Sequence, residues 1–452
     1  MSTAVRERPA ERAGREALER VLAAWPGVAA SLPAAQAAGM MKLREEALSR
    51  FRKSGFPGAR DEDWKYTDLS ALAARSFFLS TPDGGATPAA VELPRRALFE
   101  DLGGHRLAFV DGRYAPDLSS VGPLPRGVRI ESLAATLTRD PFELEARLGD
   151  ARGHSTMAAL NMAFMADGAL VIVPAGVEVT EPIHLVFFAA SASTIQPRNL
   201  ILAGERSKCT LIEHYAGSAP AFTNAVTQLF LASGAEVDHC KLQDEGERAL
   251  HVAGLHAAQA EGSRLTVHSV SVGAALARHD ITTVFDAEGC TATLDGLYLA
   301  GGRQHVDHHT RIDHAQPRGT SREHFRGILD GRSRGVFNGR IIVHPGAQQT
   351  DAWLTSRSLL LSEDAEADTK PQLEIFADDV KCAHGATVGQ LDENEVFYLR
   401  TRGFEAAAAR SLLTWAFARS ALDNIRIASL RSHLERACLA RLPQAVALTD
   451  LA

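Results

Sequence analysis

The sequence predicts a mainly β protein, with a β-solenoid core between helical ends. Three observations predict it. Short β-rich runs recur between residues 155 and 403: Leu170 to Val173, His184 to Phe188, Val226 to Leu231, Arg264 to His268, Asp280 to Phe285 and Arg340 to His344. Three repeats open on a glycine, Gly234, Gly262 and Gly289, spaced 28 and 27 residues apart. Apolar residues recur at helical spacing before and after this region. Many short strands at even spacing mean a sandwich, a barrel or a solenoid. A near-constant period over so long a stretch favours the solenoid, whose coils hide their apolar faces only by stacking. The spacing by itself leaves a sandwich open.

The elements follow in order. Residues 1–75 form an N-terminal region whose first 15 residues, rich in Arg, Glu and Pro, are expected to be disordered. Leu18, Val21 and Leu22 mark one helix, and Leu43, Ala47 and Phe51 a second. Pro26, Pro33 and the stretch from Gly55 to Gly58 punctuate them. Asp61 to Thr67, reading DEDWKYT, is expected to be a loop anchored by its aromatic pair. Residues 76–154 read as a connector. It holds a turn-rich linker (TPDGGATP), a strand and hairpin from Leu107 to Tyr114 turning at Asp111 and Gly112, a loop at Pro123 and Pro125, and a helix from Ile130 to Leu148. The β-core is expected over 155–403. Residues 404–452 read as two helices. Leu412, Leu413, Ala416 and Phe417 form one stripe and Ile427, Leu430, Leu434 and Ala437 the other, with a break and N-cap at Asp423 and Asn424. Such a pair is either a docking element for a partner or packs on the N-terminal helices.

Composition narrows the function classes. The chain has 452 residues and a formal charge of −7, which argues against a nucleic-acid-binding surface. Five cysteines, Cys209, Cys240, Cys290, Cys382 and Cys438, are scattered with no C-x-x-C, which fits a reducing, cytoplasmic setting. No apolar run reaches the roughly 18 residues that span a bilayer, and the N-terminus lacks the apolar stretch of a secretory signal. There is no G-x-x-x-x-G-K-[ST], no H-E-x-x-H and no G-x-S-x-G, so no catalytic residue is assigned and the chain is expected not to be an enzyme. Any ATP would be hydrolysed by another subunit.

Two constellations carry chemistry. Cys382 and His384 stand two apart, so a strand points both to one face. Thiolate and imidazole both bind iron or zinc. Two ligands do not close a structural site, which takes four, so the pair suggests a shared or interface position. Otherwise Cys382 is a small buried hydrophobe with a hydrogen-bonded histidine beside it. The second constellation is His305, His308, His309 and His314 with Asp307 and Asp313. Here His305 and His309 share one face of a strand and His308 and His314 the other, so mutual hydrogen bonding competes with a secondary metal site. If metal binds there, loading should weaken as pH falls through about 6.5. The remaining cysteines read as buried, inert thiols.

The stretch from Pro371 to Gly403 resembles the C-terminal core of the SufB/SufD family, scaffold proteins of iron–sulfur cluster assembly. The words that carry it are Pro371 to Ile375 (PQLEI), Asp378 to Cys382 (DDVKC), His384 to Thr387 (HGAT), and Phe397 to Leu399 with Arg402 and Gly403. The WKYT segment ending at Thr67 and the DHHT of Asp307 to Thr310 belong to the same resemblance, which runs from about Asp61 to Leu422. It implies a right-handed parallel β-helix. Members of the SufB branch carry a cluster-forming cysteine where this chain has Ser356 or Arg357, and tend to have glutamate where it has Gly385. Both departures place the chain on the SufD side.

The resemblance also implies partners and roles. A SufB-like subunit would complete the site. The helical region at about Ala406 to Ile425, with Leu412, Leu413, Ala416 and Phe417, would bind a SufC-like ABC ATPase. His384 would be the residue of cluster assembly and Cys382 a second contributor. No cofactor is expected to be held tightly by the chain alone. Iron or an iron–sulfur cluster is expected transiently, in complex with the SufB-like subunit, and a flavin in the complex is left open. A homodimer of the isolated chain is the expectation from an exposed solenoid edge. Two rival readings remain: a polysaccharide-acting β-helix enzyme, and a stand-alone metal-binding protein or metalloenzyme using His305 to His314.

Overall fold

A computed structural model describes residues 9–69, 99, 102–150 and 155–442. The TPDGGATP linker and the last ten residues of the C-terminal region lie outside them. The chain opens with helices α1 (Pro9–Val28) and α2 (Ala38–Ser54). It continues through β1 (His105–Val110), β2 (Arg113–Tyr114), β3 (Arg129–Ser132), α3 (Leu133–Arg139), α4 (Glu145–Leu148) and α5 (Thr156–Phe164). The coils follow as β4 (Ala169–Val173), β5 (Ile183–Phe188), β6 (Thr194–Ile195), β7 (Arg198–Ala203), β8 (Lys208–Gly217), β9 (Phe222–Leu231), β10 (Glu236–Glu245), β11 (Leu250–Gln259) and β12 (Arg264–Ser271). Then come β13 (Leu276–Phe285), β14 (Thr291–Ala300), β15 (His305–His314), β16 (Thr320–Leu329), β17 (Arg334–Val343), β18 (Thr350–Leu360), β19 (Glu366–Ile375) and β20 (Val380–Gly389). Helices α6 (Glu393–Thr401), α7 (Ala406–Arg419) and α8 (Ala428–Leu439) close the described chain.

The strands form two ten-stranded sheets, one ordered β2-β1-β5-β8-β10-β12-β14-β16-β18-β20 and the other β19-β17-β15-β13-β11-β9-β7-β4-β3, with β6 on β9. From β8 onward the even strands belong to the first sheet and the odd strands to the second, all parallel. This is a β-solenoid of about 8 turns. The glycines that open the repeats are its corners. Gly234, Gly262 and Gly289 have φ of 67°, 62° and 71°, a region costly for any residue with a Cβ. The interior is a stack of like on like. The rings of Phe109, Phe187 and Tyr215 lie parallel at 4.9 and 4.8 Å, the spacing of neighbouring strands. Leu211, Val267, Leu294 and Leu354 are each 0% exposed along the same sheet.

The helices cover the outer faces. Val21, Met40, Phe51 and α5 pack with Leu170, Leu200, Phe222 and Leu250 on one sheet. Leu430, Leu434 and Cys438 pack with Ile212, Leu242, Val270, Leu297 and Ile328 on the other. The C-terminal helices therefore rest on the solenoid and not on the N-terminal helices.

Three expectations are corrected. The segment from Ile130 to Leu148 is a strand followed by two short helices, because residues 129–132 pair antiparallel with 169–172. The first 15 residues are helical from Pro9 on. The β-core ends at Gly389: Phe397 and Tyr398 sit on α6, which starts after Asp392 caps the Asn394 N–H. The hairpin at Asp111 and Gly112 forms as expected, with both residues at positive φ and Phe109 opposite Tyr114.

Candidate functional site

Cys382 and His384 lie on β20, the last strand of its sheet. In register, Cys382 stands on Ala352 and His384 on Leu354, both fully buried inward-facing residues of β18. The two side chains thus continue interior columns. Above them the columns stop, since no described strand pairs with the free edge of β20 or of β19. His384 is exposed, and Cys382 is half-buried against the interior core. A Cβ built on neighbouring Gly385 would meet nothing within 4 Å. The interior of the solenoid is open at this end, and the Cys–His pair lines the opening.

The chemistry of the pair follows from its setting. Burial pushes the Cys382 thiol above its ordinary value, a backbone hydrogen bond to Ala352 opposes this, and Asp351 adds to the rise. The thiol is therefore protonated at neutral pH, and a metal ion binding it displaces a proton. Exposed apolar side chains lie on the two edge strands: Ile375 ends β19, Phe376 follows it and Val388 is on β20, while Phe397, Tyr398 and Phe404 are exposed on and just after α6, Phe376 and Phe397 by 60% and 65%. Exposed apolar groups gathered at unpaired sheet edges mark an interaction surface.

The histidine constellation is divided as the alternation predicts. His308 and His314 face the interior, and His305 and His309 face outward. Among the described residues no three metal-binding side chains converge closely enough to hold an ion. Burial pushes His308 down to about 3 and His314 to about 4, so neither titrates near 6.5. His308 bonds Ser269 at 3.2 Å and His314 bonds Ser321 at 2.9 Å. The outward half is a clamp for the W-K-Y-T loop. Buried Asp307 takes hydrogen bonds from Arg278 (2.9 Å) and from the Thr67 hydroxyl, and His309 Nε2 stands 3.0 Å from its other oxygen. With that hydroxyl proton committed to Asp307, His305 Nε2 is the donor in its 3.0 Å contact with Thr67 Oγ1. The Arg278 guanidinium lies 3.7 Å from the centre of the Trp64 ring and also donates to the Asp63 carbonyl. No local sequence signal marks this contact, which joins segments some 240 residues apart.

The stripe Leu412, Leu413, Ala416 and Phe417 is only partly used. On α7 the buried residues are Ala409, Ser411, Thr414 and Ala418, while Leu412, Leu413 and Phe417 are half-buried and Ala416 is exposed. The second stripe, with Leu430 and Leu434, is buried on the solenoid. Cys209, Cys240, Cys290 and Cys438 are buried, and burial raises each thiol, Cys209 and Cys240 to about 12.

Comparison with known proteins fits this architecture. Residues 186–417 match the SufBD core domain of SUF system FeS cluster assembly, and residues 25–185 match the SufBD protein N-terminal region. The chain belongs to the SufBD family. An iron–sulfur cluster assembly SufBD family protein of Synechocystis is 34% identical over 88% of this chain and 90% of its own length. The iron–sulfur cluster assembly protein SufD of Escherichia coli is 32% identical over 88% and 92%. A chloroplastic protein of Arabidopsis thaliana, ABCI7, is 27% identical over 90% and 86%. Within the SufBD family this chain is SufD-like. Ser356 points inward and is buried, Arg357 is exposed, and neither supplies a thiol beside His384. No helix among the described residues is long and apolar enough to cross a membrane.

Proposed function

We propose that this SufD-like chain is a non-enzymatic scaffold that pairs with a SufB-like subunit at the open end of its solenoid. It binds a SufC-like ABC ATPase through its C-terminal helices and supports iron acquisition and de novo cluster assembly where the two scaffolds meet. The observation that carries this is the position of Cys382 and His384: two ligands of a site that needs more, on an unpaired edge strand, with Ile375, Phe376 and Val388 exposed on or beside the same two edge strands. A facing subunit would pair the free edges, cover these apolar groups and bring the missing thiolates. Iron is cargo in this reading, and sulfide or persulfide arrives through the partner. The half-open stripe of Leu412, Leu413, Ala416 and Phe417 is where the ATPase docks, and closure of paired ATPase subunits would shear the scaffold interface and expose His384. In isolation a second copy of the chain would occupy the same edges.

Purifying the tagged full chain from its native cell tests the proposal. A SufB-like and a SufC-like protein in stoichiometric amounts support it, and the absence of both from a folded, soluble preparation refutes it. Amide exchange over residues 366–389 adds a local readout. Protection on complex formation is expected there, and unchanged exchange would place the interface elsewhere.

A further inference from the structure

Glu323 is fully buried on the inner face of β16. In register it stands between Leu294 of β14 and Leu354 of β18, and Leu354 in turn carries His384. The carboxyl group therefore lies in the His384 column, two coils in from the opening, with a leucine between. Neither oxygen makes a hydrogen bond of good geometry, and the polar group acting on it is the Thr310 hydroxyl. The inner faces around it offer Leu294 from β14, Leu354 and Ser356 from β18, Thr310 and neutral His308 from β15, and Phe337 from β17, none of them charged. Desolvation without a cation to offset it pushes Glu323 up to about 8. Nothing in the packing requires an acid here.

Building on the proposed role of the opening, we propose that Glu323 is a proton store coupled to it: a cation seated at His384 and Cys382 drives Glu323 to release its proton, and the carboxylate left behind strengthens the hold on that cation. The balance is simple. The O–H bond of the acid breaks, the proton goes to solvent, and the negative charge stays in the column. Two strand spacings put the charges about 10 Å apart. At an effective dielectric near 20 that attraction is worth on the order of tenfold or more in affinity. A cation released from the opening would be followed by reprotonation, which neutralises the column again.

The test is ferrous iron binding, under anaerobic conditions, to the co-expressed complex carrying wild-type or Glu323→Gln chain. Protons released per iron are counted by calorimetry in two buffers of different ionisation enthalpy. Glutamine keeps the shape of the protonated acid, and its melting curve reports folding. Wild type is expected to release up to one more proton per iron at pH 7, and the variant to bind about tenfold more weakly at pH 8. Equal proton counts and equal affinities overturn the assignment. His384→Ala separates the two layers. If it abolishes iron binding while Glu323→Gln changes nothing, only the coupling fails. If iron binding survives His384→Ala, the reading of the opening fails, and the coupling with it.

Discussion

Replacing Glu323 with glutamine should make the protein more stable, in a pH-dependent way. In the folded chain this carboxyl is pushed up to about 8, against 4.5 for an ordinary glutamate. Below the unfolded value both states carry the proton and the residue contributes no slope. As pH rises above it the unfolded chain loses the proton while the folded chain keeps it, so stability falls until about pH 8 and then levels off. At pH 7 the accumulated cost is about 3 kcal/mol, at 1.36 kcal/mol per pH unit. Glutamine removes the ionisation while filling nearly the same volume. Urea melts of wild type and Glu323→Gln at several pH values should therefore coincide near pH 4 and diverge to about 3–4 kcal/mol in favour of the variant at pH 7 to 8. Other titrating groups cancel in the difference between the two proteins. Parallel curves across that range would show that Glu323 ionises normally inside the solenoid.

Three further outcomes are expected. Asp307→Asn removes one of the two carboxylates on buried Arg278, Asp280 at 2.9 Å being the other, and weakens the hydrogen bond from Thr67; it should cost about 1–3 kcal/mol, with limited proteolysis inside residues 61–67 as the local sign that the W-K-Y-T loop has come free. Glu213, held down to about 2 despite its burial by His239 and by hydrogen bonds from Thr227 and Tyr215, acts with the opposite sign to Glu323. Its contribution is present above the ordinary glutamate value and lost as pH falls toward 2, about 3 kcal/mol in all, so Glu213→Gln should flatten the acid limb of a stability–pH curve. Ala416→Arg adds charge to an exposed position of α7 and should leave the melting temperature unchanged while reducing ATPase capture in a pull-down, an effect that full capture would contradict.

The solenoid was legible because its constraints are local and repeated. One series of corners needs a positive φ, so Gly234, Gly262 and Gly289 recur with the coil length, and the strands between show β-rich side chains. The segment from Ile130 to Leu148 misled because Leu133, Leu137, Leu144 and Leu148 keep helical spacing, while the strand before them exists only through pairing with residues 169–172. The parity of Cys382 and His384 was readable two residues at a time. That their columns open to solvent was not, because it depends on the chain leaving the sheet for α6 after Gly389. For the histidine constellation the split between faces was readable, but its outer partners, Trp64 and Thr67, come from the far end of the chain. On α7, helical spacing showed that a stripe exists but not that the solenoid would cover the small residues beside it and leave Leu413 and Ala416 accessible.

The Cys–His pair at the open end of the solenoid is the centre of the proposed function, and His384→Ala in the co-expressed complex tests it most directly. Size-exclusion chromatography reports assembly, and iron and acid-labile sulfide report clusters in the same sample. A complex of normal size with little of either is expected. Normal assembly together with wild-type rates of cluster formation would contradict the role of His384.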